Sequence, residues 1–141
     1  MALVVVDHDF AAPRDKVFAY LSEHENLGDI YGAKIERVRD GDSDRNGVGS
    51  VRRLKVGPMP WFEETIVEVV PDELIRYRIT TRALLKDHEG VMWFSDTPSG
   101  GTHVHYEITF GTRVPGAAPL VRRTLVKSIR DGFSALDATM R

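Results

Sequence analysis

The chain has 141 residues, a mass of 15.8 kDa and a formal net charge of -2. Because 19 Lys and Arg residues are matched by 21 Asp and Glu residues, the charge gives no basic footprint for nucleic acid. The absence of cysteine excludes disulfides, thiolate nucleophiles and cysteine-rich metal sites. It is compatible with a reducing cytoplasm, where we expect the protein to act. The length favours a single domain spanning residues 1–141.

The first third of the chain reads as a strand, two short helices and a second strand. Residues 3–10 are rich in β-branched side chains, which favour a strand. The apolar run stops at Asp7, which makes it too short for a signal peptide or for stable membrane insertion. Pro13 suits the start of a helix that runs to about Ser22. A second helical segment is predicted over residues 25–30, and a strand over residues 33–39.

Three aspartates alternate in residues 40–47, which suggests a calcium loop at first sight. An EF-hand loop needs glycine at its sixth position and glutamate at its twelfth, and Arg45 and Val51 stand there instead. Asn46-Gly47 is a strong turn signal. The segment is therefore predicted to be a hairpin connection.

Residues 48–56 and 61–70 are predicted to form two strands joined by Gly57-Pro58-Met59-Pro60. Apolar content favours a register in which Val56 pairs with Trp61. This register sets Arg53 opposite Glu64 on the outer face. It also brings Arg52 and Glu63 together on the inner face, where long side chains on diagonal positions can meet. The alternative is that both of these charges are solvated.

Three more strands follow, predicted over residues 74–81, 88–95 and 102–112, with residues 82–87 as a loop. The last strand alternates most clearly, so its apolar positions 104, 106, 108 and 110 should face the core. His103, His105 and Glu107 then share the other face, at a spacing that a metal ion could use. Since that face points away from the core, we expect solvated side chains and no metal site.

The longest periodic segment is residues 115–140, which predicts an amphipathic C-terminal helix. Its apolar stripe includes Ile129 and Phe133, and Pro119 is tolerated in the first turn. Gly132 interrupts the stripe, which suggests either a close approach of another segment or a gap that opens into a cavity. Arg122 lies on the same arc, either overhanging into water or at the mouth of a cavity.

This order of elements resembles the START-like superfamily, and within it the polyketide cyclase/dehydrase and lipid transport group. The supporting residues are Ala12-Pro13-Arg14-Asp15-Lys16-Val17-Phe18, Gly47-Val48-Gly49-Ser50-Val51-Arg52, Gly101-Thr102-His103-Val104 and the C-terminal helix. The resemblance implies the α+β helix-grip fold, with a curved seven-stranded antiparallel sheet wrapped around the long helix. It also implies an elongated cavity for a lipid, polyketide or quinone-like molecule.

The sequence leaves three functions open: a binding protein for a small hydrophobic or aromatic ligand, a polyketide cyclase/dehydratase-like enzyme, and a protein-interaction module of the co-chaperone kind. No nucleophile motif, phosphate loop or cofactor motif is present, so we expect no cofactor. In an enzyme, Arg52 and Glu63 are the catalytic candidates. We expect a monomer or a homodimer. The residues predicted to bind the ligand are Tyr31, Arg52, Trp61, Glu63, Tyr77, Trp93, Tyr106, Arg122, Ile129, Gly132 and Phe133.

Overall fold

The computed structural model describes residues 1–141. Seven strands form one antiparallel sheet in the order β1-β7-β6-β5-β4-β3-β2. The strands are β1 (Ala2–Phe10), β2 (Lys34–Arg39), β3 (Val51–Lys55), β4 (Phe62–Val70), β5 (Leu74–Ile79), β6 (Leu85–Asp96) and β7 (Thr102–Thr112). The helices are α1 (Arg14–Ser22), α2 (Gly28–Tyr31) and α3 (Ala118–Met140), with a short 3-10 turn at His24–Asn26.

The long helix α3 packs its apolar stripe against the sheet, as its periodicity predicts. Ile129, Phe133 and Leu136 are buried, while the exposed positions carry charges such as Arg130 and Asp131. The helix begins three residues later than predicted, because residues 115–117 form a turn in which Gly116 has φ 79°. The chain thus has the predicted helix-grip α+β architecture.

Gly132 allows a close approach between two helices and does not open a cavity. A Cβ atom on Gly132 would lie 2.8 Å from the Cα atom of Ile30 in α2, closer than side chains tolerate. Ile30, which is itself buried, therefore occupies the space that a side chain at position 132 would fill. Of the two explanations that the sequence suggests, the close approach is correct and the gap is wrong.

A buried carboxylate anchors the end of α3 to β1. The Asp137 Oδ1 atom accepts a hydrogen bond from the backbone N–H of Ala11 at 3.1 Å, and Oδ2 lies 3.2 Å from His8 Nε2. Burial by itself would raise the pKa of Asp137, but hydrogen bonds from Arg141, Ala11 and His8 outweigh it and lower the pKa. This polar clasp supplements the apolar packing of α3.

The predicted register of β3 and β4 is wrong by one residue. Arg52 is paired with Glu64, and Arg53 with Glu63. A shift of one residue exchanges the two faces of a strand, so Glu64 is buried and Glu63 lies on the other face. The apolar content of β4 misleads because a bulge between Ile66 and Glu68 changes the phase of its alternation.

Strand β6 begins earlier than predicted, since residues 85–87 belong to it and not to a loop. A bulge between Lys86 and Glu89 interrupts its pairing with β7, and Asp87 takes φ 51° there. The bulge breaks the alternation that identifies strands in a sequence. The bulge includes His88, which points to the inner face and is buried.

Candidate ligand cavity

A cavity of about 630 Å³ lies between the inner face of the sheet and the N-terminal half of α3. Its walls are mostly apolar, with 15 hydrophobic residues among 22, which matches the usual character of small-molecule sites. The sheet contributes residues such as Leu54, Ile79 and Ile108, and α3 contributes Val121 and Leu125. Trp61 and Leu120 line the same space and are exposed at 36% and 67%. The cavity therefore opens to the protein surface beside these two side chains.

The cavity wall includes five polar side chains that are buried or half-buried: Glu64, His88, Tyr31, Tyr77 and Ser128. The Nε2 atom of His88 lies 3.9 Å from Glu64 Oε2. His88 Nδ1 accepts the backbone N–H of Ile79 at 3.1 Å, which leaves Nε2 to carry the proton in the neutral ring. Burial lowers the pKa of His88, so the imidazole is neutral near pH 7.

Arg52 lies behind Glu64, at 2% exposure, and does not line the cavity. Its Nε atom donates to Glu64 Oε1 at 2.8 Å, and its guanidinium carbon stands 4.8 Å from the centre of the Tyr77 ring. Burial by itself would lower the pKa of Arg52, but the charge of Glu64 outweighs it and raises the pKa. Arg52 therefore stays cationic and holds Glu64 at the cavity wall.

A second network joins Arg52 to the loop before β3 through His24. Arg52 Nη1 donates to His24 Nδ1 at 3.1 Å, so the neutral ring carries its proton on Nε2. This nitrogen donates to the hydroxyl of Ser50 at 3.0 Å, and Ser50 donates in turn to the carbonyl of Gly47 at 2.7 Å. Every polar group of the buried imidazole is thus satisfied only when the ring is neutral.

His24 makes the stability of the fold depend on pH. Burial, followed by the charge of Arg52, lowers its pKa from 6.5 to about 3. Since the unfolded chain binds a proton below pH 6.5 and the folded chain does not, stability should fall on acidification between these values by about 1.4 kcal/mol per pH unit. Unfolding in urea between pH 7.5 and 5.0 should show a slope below pH 6.5 that is shallower in His24→Gln by this amount, because buried His88, whose pKa is also lowered, still contributes in that variant.

Ser50→Ala is the matched control for this measurement. It removes the hydroxyl that His24 contacts but keeps the imidazole beside Arg52. Stability should therefore drop at every pH while the slope is retained. Equal slopes in the native chain and in His24→Gln would show that His24 does not have a lowered pKa.

Three tyrosine hydroxyls meet at the inner boundary of the cavity. Tyr31 lies 2.5 Å from the Tyr106 hydroxyl and 3.4 Å from that of Tyr77, and Tyr77 and Tyr106 also contact each other. Burial raises the pKa of all three phenols, so they remain neutral donors and acceptors at pH 7. The ring of Tyr77 covers Gly90 of β6, where a Cβ atom would clash with the ring.

The structure brings together only part of the set of residues predicted from the sequence. Tyr31, Trp61 and Tyr77 line the cavity, while Arg52 and Tyr106 lie directly behind lining residues. Ile129 and Phe133 are fully buried core residues outside the lining.

Four of the predicted binding residues lie away from the cavity. Glu63 is on the other face of β4 because of the one-residue register difference. Trp93 is 37% exposed on the outer face of β6, beside His105. Arg122 is exposed and donates from Nε to the carbonyl of Leu3 at 2.9 Å, which agrees with a surface position. Gly132 contacts Ile30.

The sequence reasoning missed Glu64, His88 and Gly90. An isolated glycine inside a strand indicates a bulge or a close approach, so Gly90 carried a usable signal. Glu64 and His88 carried none. Their inward orientation depends on the register of β4 and on the bulge in β6, and both of these are set by the partner strands.

Comparison with known protein families shows to which family this chain belongs. The family model described as polyketide cyclase/dehydrase and lipid transport matches residues 1–141. The chain belongs to the polyketide cyclase/dehydrase and lipid transport family. The resemblance inferred from the sequence is thereby confirmed. No curated protein matches the sequence significantly.

Solved structures share the fold of this family member at low identity. A START superfamily protein from Mycobacterium smegmatis has a TM-score of 0.80 at 14% identity, covering 98% of this chain and 96% of that one. Norcoclaurine synthase from Thalictrum flavum, solved as a point mutant with a transition state analogue, has a TM-score of 0.72 at 16% identity, covering 98% and 94%. The Aha1 dimer from Colwellia psychrerythraea has a TM-score of 0.70 at 10% identity, covering 99% and 96%. None of the helices in the family member is long and apolar enough to span a membrane.

Proposed function

We propose that this family member binds a small hydrophobic or aromatic molecule in the cavity between the sheet and α3. The observation that carries the proposal is the cavity of about 630 Å³ with its largely apolar lining. Burial of an apolar ligand against such walls contributes about 25 cal/mol per Å² of area removed from water. The buried polar groups Glu64, His88, Tyr31 and Tyr77 would orient a ligand that carries a hydroxyl or a carbonyl.

The proposal keeps two expectations drawn from the sequence, namely a cytoplasmic location and a monomer or homodimer. The charge of the cavity lining also bears on the class of ligand. Arg82 and Arg113 line the cavity, and both are exposed. An acidic group on the ligand would be favoured near these cations, which extends the candidate ligands to fatty acids beside neutral sterols, quinones and flavonoids.

Thermal unfolding in the presence of each ligand class tests the binding function. A ligand at 100 times its Kd should stabilise the fold by about 2.7 kcal/mol. Leu125→Trp, which places a larger side chain at the cavity wall, should keep the fold and lose at least ten-fold in affinity. The control is Ser134→Trp, an exposed position on the same helix, which should bind normally. Stabilisation by no ligand class, or normal binding by Leu125→Trp, would contradict the proposal.

A second candidate function is a cyclase/dehydratase-like enzyme, favoured by Glu64 and His88 facing each other across 3.9 Å at the cavity wall. A carboxylate and a neutral imidazole in an apolar site suit proton transfer. The role of Arg52 changes, since its guanidinium is occupied by Glu64 and His24 and would position Glu64 without contacting a carbonyl. Recovery of the bound molecule unchanged favours binding alone, whereas loss of water from it, abolished in His88→Gln, favours the enzyme.

The third function, a protein-interaction module, finds less support. It predicts a filled or collapsed cavity, whereas about 630 Å³ is open beside α3. The similarity to the Aha1 dimer is at 10% identity and concerns the fold.

A further inference from the structure

A cluster of metal-ligating side chains lies on the outer face of the sheet, opposite the cavity. Antiparallel pairing of β1 with β7 sets Asp7 against His105 and Asp9 against His103. The carboxylate oxygen Oδ1 of Asp7 stands 2.9 Å from His103 Nε2 and 2.6 Å from His105 Nδ1. One ligand atom from each of these three residues falls within 4.8 Å of the other two.

Each imidazole in the cluster is held by a second carboxylate through its other nitrogen. His103 Nδ1 lies 2.5 Å from Asp9 Oδ1, and His105 Nε2 lies 2.7 Å from Glu107 Oε2. A histidine that ligates a metal commonly donates its other ring N–H to a carboxylate, which fixes the tautomer and the ring orientation. Asp9 and Glu107 are placed to do this for both rings at once.

The charge of the cluster also favours a cation. Three carboxylates surround two imidazoles, so the group carries a charge of -3 when both rings are neutral. The positions that pair with His103, His105 and Glu107 from β6 are Ser95, Trp93 and Val91, none of which carries a charge. No Lys or Arg stands at these paired positions to offset the carboxylates.

We propose that Asp7, His103 and His105 form a surface site for a divalent transition-metal ion of the zinc type. Two imidazoles and one carboxylate are the protein ligands of several open zinc sites, in which water takes the fourth position. Metal–ligand bonds of about 2.0 to 2.1 Å in a tetrahedral site place ligand atoms about 3.3 Å apart. The Asp7–histidine distances of 2.6 and 2.9 Å need to open by about 0.7 and 0.4 Å to reach this spacing.

This proposal revises the expectation that the histidines of β7 are ordinary solvated residues. The alternating pattern shows that His103 and His105 share a face, but the third ligand comes from β1, almost a hundred residues away in the chain. The ligands lie on two paired strands, which hold them more firmly than a loop would. The site does not depend on the cavity or on the function proposed for it.

Isothermal titration of the full chain with Zn²⁺, Ni²⁺ and Mg²⁺ at pH 7.5 tests the proposal. One Zn²⁺ should bind per chain, at least ten-fold more tightly than Mg²⁺, because imidazole favours the softer ions. His103→Ala, His105→Ala and Asp7→Asn should each weaken Zn²⁺ binding by more than ten-fold. The orienting changes Asp9→Asn and Glu107→Gln should weaken it by about 10- to 100-fold.

His8→Gln is the matched control, since His8 lies next to Asp7 in β1 but points to the opposite face, towards Asp137. It should bind Zn²⁺ normally. Circular dichroism of each variant checks that the fold is retained. The absence of one-to-one Zn²⁺ binding, or equal affinity in the folded His103→Ala and His105→Ala variants, would overturn the assignment and leave the cluster as a network of protonated histidines and carboxylates.

Discussion

Phe133→Asp should leave no folded protein at 25 °C. Phe133 is completely buried in α3, with its ring 5.4 Å from that of Phe10 and stacked 6.2 Å from that of Tyr106. Truncation of such a side chain alone costs about 3 to 5 kcal/mol. The aspartate adds a buried charge without a partner, and the sum approaches the whole stability of about 5 to 15 kcal/mol of a typical domain.

Ser134→Asp provides the control for this change, because it introduces the same charge one residue later at an exposed position of α3. Its thermal midpoint should stay within a few degrees of the native value, whereas Phe133→Asp should show no cooperative transition by circular dichroism. Phe133→Leu should fold with reduced stability, which separates lost packing from buried charge. A soluble Phe133→Asp variant with a native melting temperature would contradict the packing of α3.

Removing Arg52 or Glu64 alone should cost more than removing both. The two side chains are almost fully buried, and the Arg52 Nε atom donates to Glu64 Oε1 at 2.8 Å. Breaking a buried pair from one side costs about 3 to 5 kcal/mol because it strands a charge, while an apolar replacement of both partners is often tolerated. Urea unfolding of Arg52→Met, Glu64→Leu and the double variant should therefore be strongly non-additive.

The hairpin of β2 and β3 supplies an exposed pair for comparison. Arg53 Nε donates to Glu36 Oε2 at 2.7 Å, with both side chains in solvent. A cycle on Arg53 and Glu36 should give a coupling of about 0.2 to 1 kcal/mol. A cycle on Arg52 and Glu63 should give almost none, since these residues lie on different faces. Strong coupling of Arg52 to Glu63 instead would restore the register expected from the sequence.

Periodicity identified α3 and β7 correctly because each has one buried face and keeps one period along its whole length. The strand β7 was predicted with the observed bounds, and its inward set is buried. By contrast, β4 has apolar residues on both faces and a bulge, so its local pattern supports two registers. Choosing between them requires knowledge of which residue of β3 lies opposite, and no local preference contains that information.

The candidate sites, too, could be predicted only in part from the sequence. The types of residue that build them, an arginine beside carboxylates and a His-x-His strand, are visible in the sequence. Their partners are not, because Glu64 reaches Arg52, and Asp7 reaches His103, through pairing between strands.

The sequence by itself determined the apolar stripe of α3 and the alternation of β7, because each is a repeat within one segment. It also determined the helix-grip order of elements, because each strand and helix has a local pattern of its own. The tertiary structure alone decided that Gly132 receives Ile30, that Glu64 and His88 face the cavity and that Asp7 joins the histidines. Each of these depends on the distance between segments far apart in the chain, which is fixed only when the strands pair and the helices pack.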